Sequence, residues 1–521
     1  MSDEVLPASV PVSQPAPGNP TDTGVDQRMA AYRRAREQVE RSILPLATSV
    51  DGYAFDFQAS LHDLKLRRGG YVALEAGDQR RLGQVTDVEA ASATSNGEGR
   101  DGTGGEGSVR IRLARGGGIV LDTDGNPFHD AAVRPADPEE VGAWLARTRP
   151  DRAGLTIGEM LLAAGIPATL DSGGLARHTF MCGQSGSGKT YSLGLLLERV
   201  LAETGLRVVI LDPNSDYVGL PRLRDGADPE LAARYSHVPA EVAVWRNDPG
   251  AEHPLRMRFA DLDPAAQAAS LGLDPIRDRD EYAVLTDLLR AQEDGQPLVA
   301  GPHQLLEADA PGARQLGMRA TNLGVLGWRL WSPTLPSLVR ELQRPTARCT
   351  VVDLGSLDTV QEQHLVATAV LSTLWESRLS RQPCLVVIDE AHNICPGEPL
   401  DELSRLSSER AVQIAAEGRK YGLYLLTSTQ RPHKVHENVV SQCDNLLLMR
   451  MNSQADLADL GRLFSFVPSG LMAGATSFRM GEALVAGKIL PHPAYVQMGE
   501  RVSQEGGADV PATWAVPRTS S

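Results

Sequence analysis

Residues 183–190 read Gly183-Gln184-Ser185-Gly186-Ser187-Gly188-Lys189-Thr190, a spacing suited to holding phosphate. The glycines let successive backbone N–H groups curl around anionic oxygens, Lys189 reaches terminal phosphates, and the Thr190 hydroxyl is available to Mg2+. The run sits between an apolar stretch, HTFMCG, and an amphipathic helix, SLGLLLERVLAE, so that Lys189 and Thr190 act at a helix amino terminus that favours negative charge, and Tyr191 is counted with Gly183 to Thr190 among the nucleotide-binding residues. A chance glycine-rich turn is the competing reading, and both flanks argue against it. Further along, LVVIDEAH places Asp389 and Glu390 at the end of an apolar run. Asp389 suits the shell of Mg2+, and Glu390 suits polarising a water for attack on a γ-phosphate. Alone, such a pair is often only a solvated loop entry; after a phosphate loop the catalytic reading gains weight.

A third run, LLTSTQRP, ends a buried stretch in polar side chains, where Gln430 either senses the γ-phosphate or caps the turn before Pro432. Phosphoryl transfer also calls for positive charge on its transition state, often an arginine from a neighbouring subunit. Arg177 and Arg419, the latter beside Lys420, are the candidates, with ordinary surface ion pairing as the alternative. His433 and Lys434 follow the third run and are candidates for facing a channel.

Strands and helices must position these groups. From about residue 151 apolar runs alternate with longer amphipathic ones, which indicates an α/β fold with parallel crossovers. The expected strands are HTFMCG, LRVVILDP, RCTVVDLG, PCLVVIDE and GLYLLTST, followed by NLLLMRM and GEALVAGKI. Between the second and third lies a stretch too long for a loop and rich in helix-like sequence, read as a helical insertion at about 218–346. Before residue 151 the texture differs. A charged helix, AAYRRAREQVERSI, precedes short alternating runs at 52–59, 70–77, 81–90, 108–116 and 118–122, which suggest a small β-barrel within 27–150. The glycine-rich 92–108 reads as a hairpin tip, and residues 1–26 and 501–521 as flexible tails around the barrel and the α/β segment 151–500.

Composition narrows the functions. The 521 residues carry 51 Lys and Arg against 66 Asp and Glu, a formal charge of -15, so no overall basic coat exists for indiscriminate nucleic-acid binding. Locally, residues 405–450 hold seven basic against four acidic residues, a modest excess that fits a solvated face or a DNA-facing surface equally. Five cysteines without a C-x-x-C pair argue against a disulfide framework or a zinc ribbon and point to a reducing, cytoplasmic setting. The amino terminus lacks the pattern of a secretion signal, and no apolar run approaches the roughly 20 residues of a membrane span.

Taken together, GQSGSGKT, VVIDEAH, ILDPNSDY (210–217), RKYG with TSTQRP, and HENVVSQCDNLLLMRM (436–451) resemble the HerA branch of the HerA/FtsK group of P-loop motor ATPases. Asp216 stands where that family more usually has Glu in its D-P-x-x-E-Y segment. The resemblance spans most of residues 28–500. It implies a RecA-like core that binds ATP and Mg2+, preceded by a HAS-barrel-like domain. It also implies a homohexamer that encircles and moves double-stranded DNA and works with a nuclease or another effector, in DNA end processing or anti-phage defence. A DEAH-box RNA helicase would need a second motor lobe, which the sequence does not offer. A conjugative or secretion ATPase usually brings membrane segments. A hexameric scaffold or switch that recruits an effector without moving along DNA stays open; DNA-stimulated turnover separates it from a motor.

Overall fold

Alternation before residue 136 builds a closed antiparallel barrel in the computed structural model, which describes residues 22–96, 108–293, 303, 312–332 and 337–507. Its strands are β1 (Leu46–Ser49), β2 (Ala54–Ser60), β3 (Tyr71–Ala76), β4 (Gln79–Asn96), β5 (Ser108–Val120) and β6 (Phe128–Pro135), in the order β1-β2-β5-β4-β3-β6. Every second residue of β2 faces inward, so Phe55, Phe57 and Ala59 join Val72, Leu74, Val85 and Val133 in the barrel core. The runs at 108–116 and 118–122, expected as two strands, form one. Gly116 to Gly118 make no turn there; they make room, since a Cβ on Gly118 would lie 2.2 Å from Phe55 Cζ. Strands β1 and β6 were not anticipated. The preceding helix runs Asp22–Ser42, so residues 22–26 are helical rather than part of a tail, while 1–21 and the hairpin tip at 97–107 lie outside the described residues.

The chain divides into two units, with the barrel in Met1–Arg67 and Val72–Pro135 and the remainder, Arg68–Tyr71 and Ala136–Ser521, in the larger. The helix Pro138–Thr148, expected with the barrel, groups with the larger unit because Trp144 is buried there, edge-on to His492 with ring centroids 5.1 Å apart.

The larger unit is built on a twelve-stranded sheet. Its strands are β7 (Gly154–Met160), β8 (Pro167–Asp171), β9 (His178–Cys182), β10 (Arg207–Asp212), β11 (Val242–Arg246), β12 (His253–Pro254), β13 (Cys349–Asp353), β14 (Cys384–Ile388), β15 (Leu423–Thr429), β16 (Cys443–Met449), β17 (Glu482–Gly487) and β18 (Ala494–Met498). The order is β12-β11-β13-β10-β14-β15-β9-β16-β17-β18-β7-β8. From β12 to β16 every neighbouring pair is parallel, and from β16 to β8 every pair is antiparallel. β9, β13 and β14 are buried at every residue, as expected of parallel strands covered on both faces. All seven strands expected in this unit are present. The 218–346 segment contains helices such as Pro264–Ser270, Arg279–Glu293 and Ala313–Asn322, but it is not wholly helical. It also contributes β11 and β12 to the sheet edge, where Val242–Trp245 pair in parallel with β13.

Residues 501–507, expected to begin the tail, are instead built in. Arg501 and Val502 are fully buried, and the carboxylate of Glu198, on the helix Lys189–Glu203, accepts Val502 N at 2.9 Å and Ser503 N at 2.6 Å with Arg501 Nε at 3.5 Å. Residues 508–521 lie outside the described residues. All five cysteines are buried and unbridged, and among the described residues no helix is long and apolar enough to cross a membrane.

Glu198→Ala would leave a buried guanidinium without its counter-charge and two N–H groups without their acceptor, so urea unfolding should show a loss of about 3–5 kcal/mol. A loss under about 1 kcal/mol, the size of an exposed ion pair, would contradict this clamp.

Candidate functional site

Parallel strands bring their carboxyl ends to one edge of the sheet, and the chemistry-bearing residues collect there. β15 lies between β9 and β14, pairing Thr429 with Cys182 and Thr427 with Ile388. Residues 183–190 therefore turn directly beside Asp389, Glu390 and Gln430. The turn needs its glycines: Gly186 and Gly188 have φ of 72° and 87°, which L side chains rarely adopt. Gln184 N donates to Arg450 O at 2.9 Å, and Arg450, at the end of β16, returns a bond from Nη2 to Gly186 O at 3.1 Å. Ser187 Oγ is buried and has no hydrogen-bond partner among the described residues, and Ser185 and Gly186 are exposed. A glycine cradle with an orphaned buried hydroxyl fits a phosphate group.

Lys189 is 4% exposed, and its Nζ lies 2.9 Å from Asp389 Oδ1, 3.1 Å from Glu390 Oε1 and 3.0 Å from Ser428 Oγ. Burial opposes its charge, but the two carboxylates outweigh burial and hold the ammonium above the ordinary lysine range. Asp389 also accepts the Tyr217 hydroxyl at 3.2 Å. Glu390 sits at a φ of 43°, strained for a residue with a side chain, at the start of the short helix Ala391–Ile394. Gln430 Nε2 donates to Glu390 Oε1 at 2.9 Å, and His392 Nδ1 stands 3.2 Å from Oε2 and 3.0 Å from Thr429 Oγ1. Burial alone would raise the Glu390 carboxyl. His392, Lys189 and Gln430 together pull it down to about 2.

The sequence-expected residues thus fall into two groups. Gly183 to Thr190, Asp389, Glu390 and Gln430 are brought together, with Thr190 half-buried in the first helical turn. Tyr191 turns its hydroxyl to the carboxy-terminal segment, accepting Arg501 N at 2.7 Å. Arg177 and Arg419 are not at this edge. Both precede their strands, β9 and β15, and so lie at the amino ends, about 16 Å away for a five-residue strand. There both are exposed and share Asp444. The residues that sequence reasoning missed are Ser428, His392, Tyr217 and Arg450. The signal for Arg450 was present: a lone arginine closing the apolar NLLLMRM, parallel to the strand that carries the phosphate loop.

Behind the site, Asp212 is fully buried at the end of β10, and its two oxygens accept Asp216 N at 2.9 Å and Tyr217 N at 2.8 Å. This fixes the turn that aims Tyr217 at Asp389.

A family model described as "Helicase HerA, central domain" matches residues 155–296. The DNA double-strand break repair helicase HerA of Sulfolobus acidocaldarius is 22% identical over 85% of this chain and 91% of its own length. That of Saccharolobus solfataricus is 23% identical over 84% and 89%. Over most of its length the chain is thus similar to these two HerA helicases. With the HerA of Sulfurisphaera tokodaii the match is 28% identical but confined to 31% of this chain and 34% of that protein's length. Among solved structures, VirB4 of Thermoanaerobacter pseudethanolicus is 15% identical at a TM-score of 0.46, covering 67% of this chain and 97% of that one. This HerA-like chain brings the GQSGSGKT turn, the acidic strand end at Asp389 and Glu390, and the polar strand end at Gln430 to one edge of its sheet.

Burial lifts the Asp212 carboxyl to about 7, with its backbone bonds only partly opposing the rise. A carboxyl raised on folding favours the protonated form, so its contribution is fully present below about pH 4 and is lost as pH rises through 7. The stability deficit of Asp212→Asn relative to the wild type should therefore shrink between pH 4 and pH 8 in thermal unfolding. A deficit that stays constant with pH would show that Asp212 does not titrate there.

Proposed function

We propose that this chain is an ATP-hydrolysing subunit of a homohexameric ring that moves double-stranded DNA through its centre and works with a nuclease or another effector in the cytoplasm. The observation that carries the reading is the buried contact of Lys189 with Asp389 and Glu390, closed on its far side by Gln430. A triphosphate seated on Gly183 to Thr190 competes with the two carboxylates for Lys189. Thr190 and Asp389 would hold Mg2+, which when bound neutralises charge on the phosphate oxygens.

The transfer of Lys189 also changes Glu390. A carboxylate held near 2 is a poor proton acceptor, and the ammonium is one of the causes. Moving Lys189 to phosphate removes that cause and leaves Glu390, oriented by Gln430 and His392, a stronger base toward a water. Binding then primes hydrolysis. The transition state still needs positive charge that Arg177 and Arg419 cannot supply within their own subunit, because they stand at the opposite end of the strands. Their position suits contact with the nucleotide of the next subunit, and this is what makes a ring necessary to the chemistry. Arg431, His433 and Lys434, exposed just beyond Gln430, would meet the phosphate backbone in the channel.

Lys189→Ala should abolish ATP binding in equilibrium titration. Glu390→Gln should bind ATP yet lower turnover at least about 100-fold, the usual effect of removing a general base. Wild-type turnover in that variant would remove Glu390 from the role. Duplex DNA should stimulate wild-type hydrolysis; turnover indifferent to DNA would favour the scaffold or switch reading.

A further inference from the structure

Three separate elements meet at the amino ends of the central strands. Arg177 follows the short 3-10 turn Ser172–Ala176, Arg419 lies in the turn Gly418–Tyr421, and Asp444 is the second residue of β16. Arg177 Nη1 donates to Asp444 Oδ2 at 3.2 Å, and Arg419 Nη1 donates to the same oxygen at 2.8 Å.

The backbone places Asp444 there by an irregularity. Along the parallel pair of β9 and β16, Cys443 is opposite His178 and Asn445 is opposite Thr179, so Asp444 is an extra residue in a bulge. A bulge re-aims the side chain it carries. This one is fastened by its neighbour: Asn445, fully buried, donates from Nδ2 to Gly174 O and Thr179 Oγ1 and accepts Lys488 N on Oδ1. His178, buried behind the cluster, accepts Leu425 N on Nδ1. Burial, then Arg419, push its imidazole down to about 4, so it adds no third cation.

An exposed ion pair of this kind contributes little to stability. One carboxylate also leaves the two guanidiniums with a net positive charge, and among the described residues each gives only one hydrogen bond, to Asp444. We infer that Asp444 is a positioning residue: it holds Arg177 and Arg419 side by side, with their remaining donors directed at the nucleotide of the adjoining subunit. This rests on the trans arrangement proposed above and adds the group that sets the geometry of both arginines.

The test is steady-state ATP hydrolysis by Asp444→Asn, alone and mixed with Lys189→Ala subunits, beside Arg177→Ala and Arg419→Ala treated in the same way. The expected result is a kcat lower by roughly 100-fold, the scale of a misplaced catalytic group. KM for ATP should stay within about twofold, the unfolding midpoint should not change, and activity should recover in the mixture, where intact arginines from Lys189→Ala subunits face intact loops. Asp444→Glu, which keeps the charge, should lose less and recover in the same way, and it stands in if the Asn variant does not fold. A wild-type kcat in Asp444→Asn overturns the inference, as does a loss that mixing fails to recover while both arginine variants recover. If none of the three recovers, the trans reading itself falls, and the positioning role falls with it.

Discussion

A lysine ammonium buried to 4% exposure must be paired, and this requirement governs the site. Removing a counter-charge from a buried ion pair costs about 3–5 kcal/mol, so Lys189 cannot simply leave Asp389 and Glu390 for an unpaired position. It can move only to other negative charge. In the proposed mechanism that charge is a phosphate seated on the glycine turn from which Lys189 itself emerges, and carboxylate is exchanged for phosphate. Because Glu390 is held in a strained backbone conformation by Gln430 and His392, the exchange alters its basicity without having to move it.

The parallel sheet explains why the parts divide as they do. Carboxyl ends collect the glycine turn, the acidic pair and Gln430, while amino ends collect the arginines and Asp444. Strand length sets the distance between the two sets. Hydrolysis in the proposed ring is shared between subunits for this geometric reason. The carboxy-terminal clamp on Glu198 serves the same edge, since it grips the helix that begins at Lys189 and runs on past the turn containing Asp216, where Gly506 N donates to Asp216 O at 3.0 Å.

Much of this was legible in the sequence where local pattern and chemistry coincide. GQSGSGKT follows, and VVIDEAH ends, a strand whose apolar run is continuous, and such runs identify buried parallel strands without further information. What escaped was long-range. VAVWR at 242–246 alternates like a strand, but it is embedded among helices, and only pairing with β13 decides its state. Arg501 sits in polar, Gly-containing sequence that reads as a tail, and nothing local reveals that Glu198 waits for it. The glycines at 116–118 read as a break because their reason, the rings of Phe55 and Phe57, lies on another strand. The meeting of Arg177 and Arg419 on Asp444 depends on a one-residue bulge, which has no signature in side-chain type.

The most direct measurement is a cryo-electron microscopy structure of the wild-type protein with a non-hydrolysable ATP analogue. Support would be a ring with nucleotide at each subunit boundary, Lys189 Nζ moved from Asp389 to the terminal phosphates, and an arginine of the adjoining subunit at the γ-phosphate. Nucleotide bound within a lone subunit, or Lys189 still on its carboxylates with the analogue in place, would contradict it.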